Sequence, residues 1–205
     1  MRNAGSGAVS GYSTGMAVPV KAAPCWSELD PERKRARLLE AAGEVFAQRG
    51  LDAPMPAVAA AAGAGVGSVY RQFPSKRDLL AALVVERLEE AEAEAEAALA
   101  SSDGPWVALT ALLRDFSERH VADEVRAEAM ASVSTHPDVV RALAGTSVAW
   151  ERLLDAAKAG GRLRSDASML DVHLLFAAIR AAGPLAPGAW ERMLELGIDA
   201  LAISG

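Results

Sequence analysis

Apolar positions along this chain recur every three or four residues, and no stretch alternates apolar and polar residues over the length of a strand. Leu38, Ala41, Ala42, Val45 and Phe46 form the first such stripe. Asp30 suits the cap of that helix and Pro31 its first position, while Gly50 fits just past its end. Val58, Ala59 and Ala62 predict a short second helix that Gly63 interrupts. A third runs from about Gly65 to Phe73, with Val69 and Phe73 on one face. Pro74 ends it, because proline has no amide hydrogen to donate. Ser75 through Ala100 reads as one long helix, opened by a capping-box pattern of Ser75 and Asp78. Its Glu-Ala alternation from Glu89 to Glu96 points charge in several directions and predicts a solvated surface. Ser101-Ser102-Asp103-Gly104-Pro105 is a linker. Beyond it the periodicity predicts helices at about Trp106–His120, Ala122–Ser132, Pro137–Ala159, Ser168–Ala182 and Pro187–Ile203. The expected fold is all-α, with about nine helices.

Two short helices joined by a glycine turn form a helix-turn-helix, whose second helix can enter the major groove of DNA. The run AAGAGVGSVYRQFPSKRDLL, preceded by RARLLEAAGEVFAQRGLDA, closely resembles the DNA-binding domain of TetR-family transcriptional regulators. The likeness runs from near Arg33 to Leu83, and its most distinctive part is the Tyr70-x-x-Phe73-x-x-Lys76 spacing after a glycine-rich helix start. The division expected from it is a tail at residues 1–28, a helix-turn-helix domain at 29–83 with its motif at 54–73, and an effector-binding and dimerisation domain at 84–205. The tail is rich in Gly, Ala, Ser and Val without a usable period, which predicts disorder.

On the recognition helix, Gly65 and Gly67 let the backbone approach DNA closely, and Val66 can pack on a thymine methyl. Ser68 can reach a base edge or a phosphate, and Gln72 can pair with adenine if it faces the groove. Tyr70, Arg71 and Lys76 are better suited to phosphate, which sets position rather than sequence. Arg33, Lys34, Arg35 and Arg37 crowd the first turns of the first helix, where positive charge opposes the helix dipole. The resemblance implies that such residues approach the DNA backbone. The chain also departs from the family pattern. Gly65 and Val66 stand where relatives often carry Ser and Lys, and no Thr or Ser stands near Pro54–Met55 to hold a phosphate.

A net charge of −6 fits a DNA partner only through its distribution. Between Asp30 and Leu80 there are eight Lys/Arg against six Asp/Glu, and from Ala81 onward eleven against twenty. One end can meet phosphate while the other repels it. The single cysteine, Cys25, excludes an internal disulfide framework and a multi-cysteine zinc site. No apolar run reaches the roughly 18 residues of a membrane span, so a cytoplasmic protein of a bacterium is expected. There is no P-loop, dinucleotide fingerprint, His-Glu-x-x-His or nucleophile elbow, so the reading is a non-enzyme without a cofactor or metal.

For the C-terminal half, the resemblance implies a homodimer on a palindromic double-stranded DNA operator, released by a small apolar or amphipathic effector. The last two helices supply the expected interface: Met169, Val172, Phe176 and Ile179 on one, Trp190, Met193, Leu194, Gly197 and Leu201 on the other. Trp106, Leu109, Phe116, Met130, Trp150 and Phe176 are the expected lining of a pocket, with His120 and His173 as polar handles. A DNA-binding protein without an effector remains an alternative, because a filled helical core uses the same residue types.

Overall fold

The computed structural model describes residues 25–120 and 124–203. Among them the helices are α1 (Pro31–Arg49), α2 (Met55–Ala61), α3 (Val66–Gln72), α4 (Lys76–Leu99), α5 (Pro105–His120), α6 (Glu124–Val133), α7 (Pro137–Ala159), α8 (Met169–Ala182) and α9 (Ala189–Leu201). Local chemistry sets most of these ends. The Asp30 side chain accepts from the Arg33 amide at 2.8 Å with Pro31 in the first turn of α1. Gly50 ends that helix at φ 75°, a conformation that favours glycine. The last residues assigned to the tail depart from expectation: Trp26–Glu28 form a 3-10 turn, Trp26 packs against the core and Leu29 is buried beside it. Residues 1–24, the rest of that expected tail, lie outside the described residues.

Helix α4 is the axis of the molecule. It packs along α7, and it also meets α1, α5 and α6. Two apolar cores lie along it. The first joins α1, α2 and α3 to Leu79, Leu80, Ala81, Val84 and Leu88 of α4, and it also takes in Ala129 and Val133 of α6 and Val139 of α7. The second joins Ala95 of α4 to α5, the far half of α7, α8 and α9. Residue 83 therefore sits inside a continuous helix, and α6 packs on the first core although it follows the linker. Helices α8 and α9 lie so close that a side chain at Gly197 would collide with Leu175.

Candidate nucleic-acid interface

The recognition helix α3 has only seven residues, too few to persist alone in water. It is held by its inner face. Val69 is fully buried and Phe73, just past the helix end, is 2 % exposed. The Phe73 amide donates to the Val69 carbonyl at 2.8 Å, and the Arg35 guanidinium lies 4.9 Å from the Phe73 ring centre. Gly63, at φ 65°, makes the turn out of α2.

The opposite face is open. Gly65, Val66, Gly67, Tyr70 and Arg71 are all exposed, and Ser68 is half-buried. Arg71 Nη2 donates to Ser68 Oγ at 2.9 Å, which lays the guanidinium along the helix surface. Gln72 falls elsewhere: it is half-buried and borders a cleft of ≈ 440 Å³ with Phe73, Asp78 and His136, on the flank of the exposed face. Lys76 opens α4, and its ammonium stands 5.7 Å from the Phe46 ring centre. Substituting Arg71 with alanine is expected to weaken binding to all duplex sequences alike and to lower the slope of log K against log salt by about 1. Fluorescence anisotropy across a salt series reads that slope.

The start of α4 carries a complete capping box. Ser75 Oγ and the Ser75 amide both donate to Asp78 Oδ2, at 2.6 and 2.9 Å, and the Asp78 amide donates to Ser75 Oγ at 3.2 Å. The Ser75 hydroxyl is the main reason the Asp78 carboxyl lies below the usual carboxylate range; the approach of His136 adds to it. The depressed folded value means that the carboxylate stabilises the fold above its unfolded pKa, and that this is lost as pH falls through the folded one. Asp78→Asn is therefore expected to cost about 1 kcal/mol at neutral pH. The variant and the natural protein should converge at acid pH, once the pH has fallen through the depressed folded pKa. Urea unfolding at the two pH values tests this.

Two contacts tie this helix start to the turn between α6 and α7. Arg77 Nη2 donates to Thr135 Oγ1 at 2.7 Å, and His136 Nε2 lies 3.4 Å from Asp78 Oδ1. His136 also caps α7, its Nδ1 accepting from the Asp138 amide at 3.3 Å. Neither contact is among the expectations drawn from the sequence. Partners 58 residues apart leave no local signal.

The expected pocket residues separate into groups. Leu109 and Trp150 are buried in the second core. Phe116, Trp150 and Phe176 form an aromatic trio with ring centres 4.7–6.1 Å apart, filling space between α5, α7 and α8. Trp106 packs half-buried against that core, and His173 is exposed on α8. The His120 side chain lies outside the described residues. Phe116 and Met130 do border a cavity, of ≈ 270 Å³, but its other walls come from α1 and α4.

The interface stripe requires correction. Val172, Ile179, Leu194 and Leu201 are buried within the protomer, and Met169, Phe176, Trp190 and Met193 pack half-buried against the same core. Gly197 faces Leu175. These residues join α8 and α9 to their own subunit. The face left open is Leu170, Leu174, Ala177 and Ala181 on α8, with Leu196, Ala200 and Ile203 at the other helix and its end.

A short helix anchored on its inner face and bare on its outer one, mildly basic and followed by an acidic helical half, defines a helix-turn-helix DNA-binding regulator. Residues 38–83 match the family model for bacterial regulatory proteins of the tetR family, and residues 104–203 match that for the SbtR-like transcriptional regulator C-terminal domain. The TetR transcriptional regulator SCO0520 from Streptomyces coelicolor is similar at 30% identity over 83% of this chain and 99% of its own, with a TM-score of 0.62. A TetR regulatory protein from Mycobacterium vanbaalenii is similar at 32% over 84% and 96%, with a TM-score of 0.60. FadR from Thermus thermophilus, a TetR-family repressor in complex with lauroyl-CoA, matches at 24% over 82% and 92%, with a TM-score of 0.56, and shares the fold. No curated protein matches the chain. The chain belongs to the TetR family of transcriptional regulators. Members of that family are DNA-binding repressors, often regulated by ligands, and they usually bind operator DNA as dimers. Among the described residues no helix is long and apolar enough to cross a membrane.

Proposed function

We propose that the protein is a repressor and not an enzyme, which binds a palindromic operator as a homodimer and leaves it when a small molecule occupies its C-terminal half. The observation that carries this reading is the outer face of α3, where Val66, Gly67, Tyr70 and Arg71 stand exposed over the buried anchors Val69 and Phe73. Val66 supplies apolar contact to a base and the two glycines allow close approach, while Tyr70, Arg71 and Lys76 hold phosphates. A helix with so few base-reading side chains needs two copies to gain specificity. The open apolar stripe of α8 and α9 provides the two-fold contact that joins them.

Two subunits must present their recognition helices about 34–36 Å apart to meet successive major grooves. The contacts Arg77–Thr135 and Asp78–His136 make the start of α4 move with the turn between α6 and α7. A ligand that displaces α6 then changes the position of α3, which lies just ahead of α4, and spoils that spacing. Selection from random duplex DNA at physiological salt tests the reading. A two-fold symmetric motif should emerge, and enrichment of no motif would remove sequence-specific repression.

A further inference from the structure

We propose that the cavity of ≈ 270 Å³ at the seam of the two halves is a ligand site for a compact, uncharged, apolar molecule of one or two rings. The inference rests on the effector reading above and names the class of effector. Phe46 of α1 and Leu51 just past it form one wall; Leu83 and Leu88 of α4, Phe116 of α5 and Met130 of α6 complete it. A bound molecule therefore touches the DNA-binding half and α6 together.

Charge sets the class. Among the described residues that line the cavity Arg87 is the charged one, and its Nη1 already donates to both carboxylate oxygens of Glu90, at 3.0 and 2.7 Å. An anion would have to compete with that carboxylate, and a cation would meet the guanidinium with no carboxylate among the described lining residues to offset it. A neutral apolar solute leaves water at no such cost. Size agrees, because apolar cavities of about 150 Å³ already hold benzene.

Gly43 is the second observation. It stands in the interior of α1, where glycine is the least favourable residue after proline. Its φ is not positive, and nothing among the described residues lies within 4 Å of where a Cβ would be. Neither backbone conformation nor close packing calls for glycine here. What the missing side chain does is leave the cavity wall open, since Gly43 borders it together with the exposed Ala47.

The test is calorimetric titration of the full chain with indole, indole-3-carboxylate and tryptamine, which share a ring system and differ in charge. The same titrations are run on Gly43→Leu and on Gly43→Leu combined with Ala47→Leu. Indole should bind the natural protein saturably, and each charged analogue at least tenfold more weakly. The double variant should lose at least tenfold in indole affinity while its Tm does not fall, because leucine favours the helix. Absence of indole binding to the natural protein, equal binding of a charged analogue, or an unchanged affinity in the double variant would each overturn the site. Operator anisotropy with and without indole separates this from the effector reading. Indole held in the cavity with operator affinity unchanged leaves the ligand site standing and counts against its regulatory role. Operator release by a compound that binds the double variant normally keeps the effector reading and removes this site.

Discussion

Leu174→Glu is expected to separate the proposed homodimer into folded monomers and to weaken operator binding by about 10²–10⁴-fold, the advantage that joining two binding modules confers. Leu174 is 58% exposed on α8 and Leu170, one turn earlier, 64%; Ala177 and Ala181 continue the same line. In an isologous interface each subunit contributes the same patch, so one substitution places two carboxylates near the two-fold axis. They would lose water, lack a partner and repel each other. The protomer's own core is untouched, because Val172, Leu175 and Ile179 face inward on that helix. Sedimentation velocity should show a monomer with helical circular dichroism intact, while anisotropy on a single half-site should change little. A variant that stays dimeric at micromolar concentration would remove this face of α8 from the interface. Val172→Ala is the contrasting case: it opens a void in the protomer and should lower Tm.

Phe73→Ala is expected to cost about 3–5 kcal/mol, the range for truncating a buried phenylalanine. Domains of this kind hold only about 5–15 kcal/mol in total. The ring is 2 % exposed, sits at the end of the recognition helix and shares the first core with Phe46, Leu79 and Val69. Its loss removes one of two inner anchors from a helix of seven residues and also takes the surface on which Arg35 rests. Urea unfolding should show a much lower midpoint, and operator binding should fail at temperatures where the second core still holds. Tyr70→Ala separates the two roles of α3. Tyr70 is 46% exposed, so its truncation should leave stability within about 0.5 kcal/mol. It should still weaken DNA binding. Equal loss of stability in both variants would mean that Tyr70 belongs to the core.

Much of the fold was legible because its signals are local. Asp30-Pro31, Gly50, Pro74 with Ser75 and Asp78, and Pro137 mark helix ends through caps and prolines that act within one turn. The predicted Pro137–Ala159 coincides with α7, and the recognition helix differs by one residue at each end. The outer face of α3 could be read for the same reason: once Val69 and Phe73 point inward, the 3.6-residue period turns Tyr70 and Arg71 outward. Gln72 was harder, since one position from Phe73 lies on the boundary between faces, and the cleft beside α4 and α7 is what claims it.

What the sequence determined by itself is therefore the helices, the helix-turn-helix and the open face of its second helix, because period, cap and turn chemistry depend on neighbours a few positions away. It did not determine which side of α8 faces its own subunit. That helix is apolar almost all round, so Val172, Leu175 and Ile179 fit helical spacing as well as Leu170, Leu174 and Ala177 do, and only packing against α5, α7 and α9 selects between them. The cavity beside Gly43 and the contacts of Arg77 and Asp78 with the turn after α6 were decided by the tertiary structure too. A void is what remains after distant helices meet, and a contact across 58 residues exists only once α4 and α7 lie side by side.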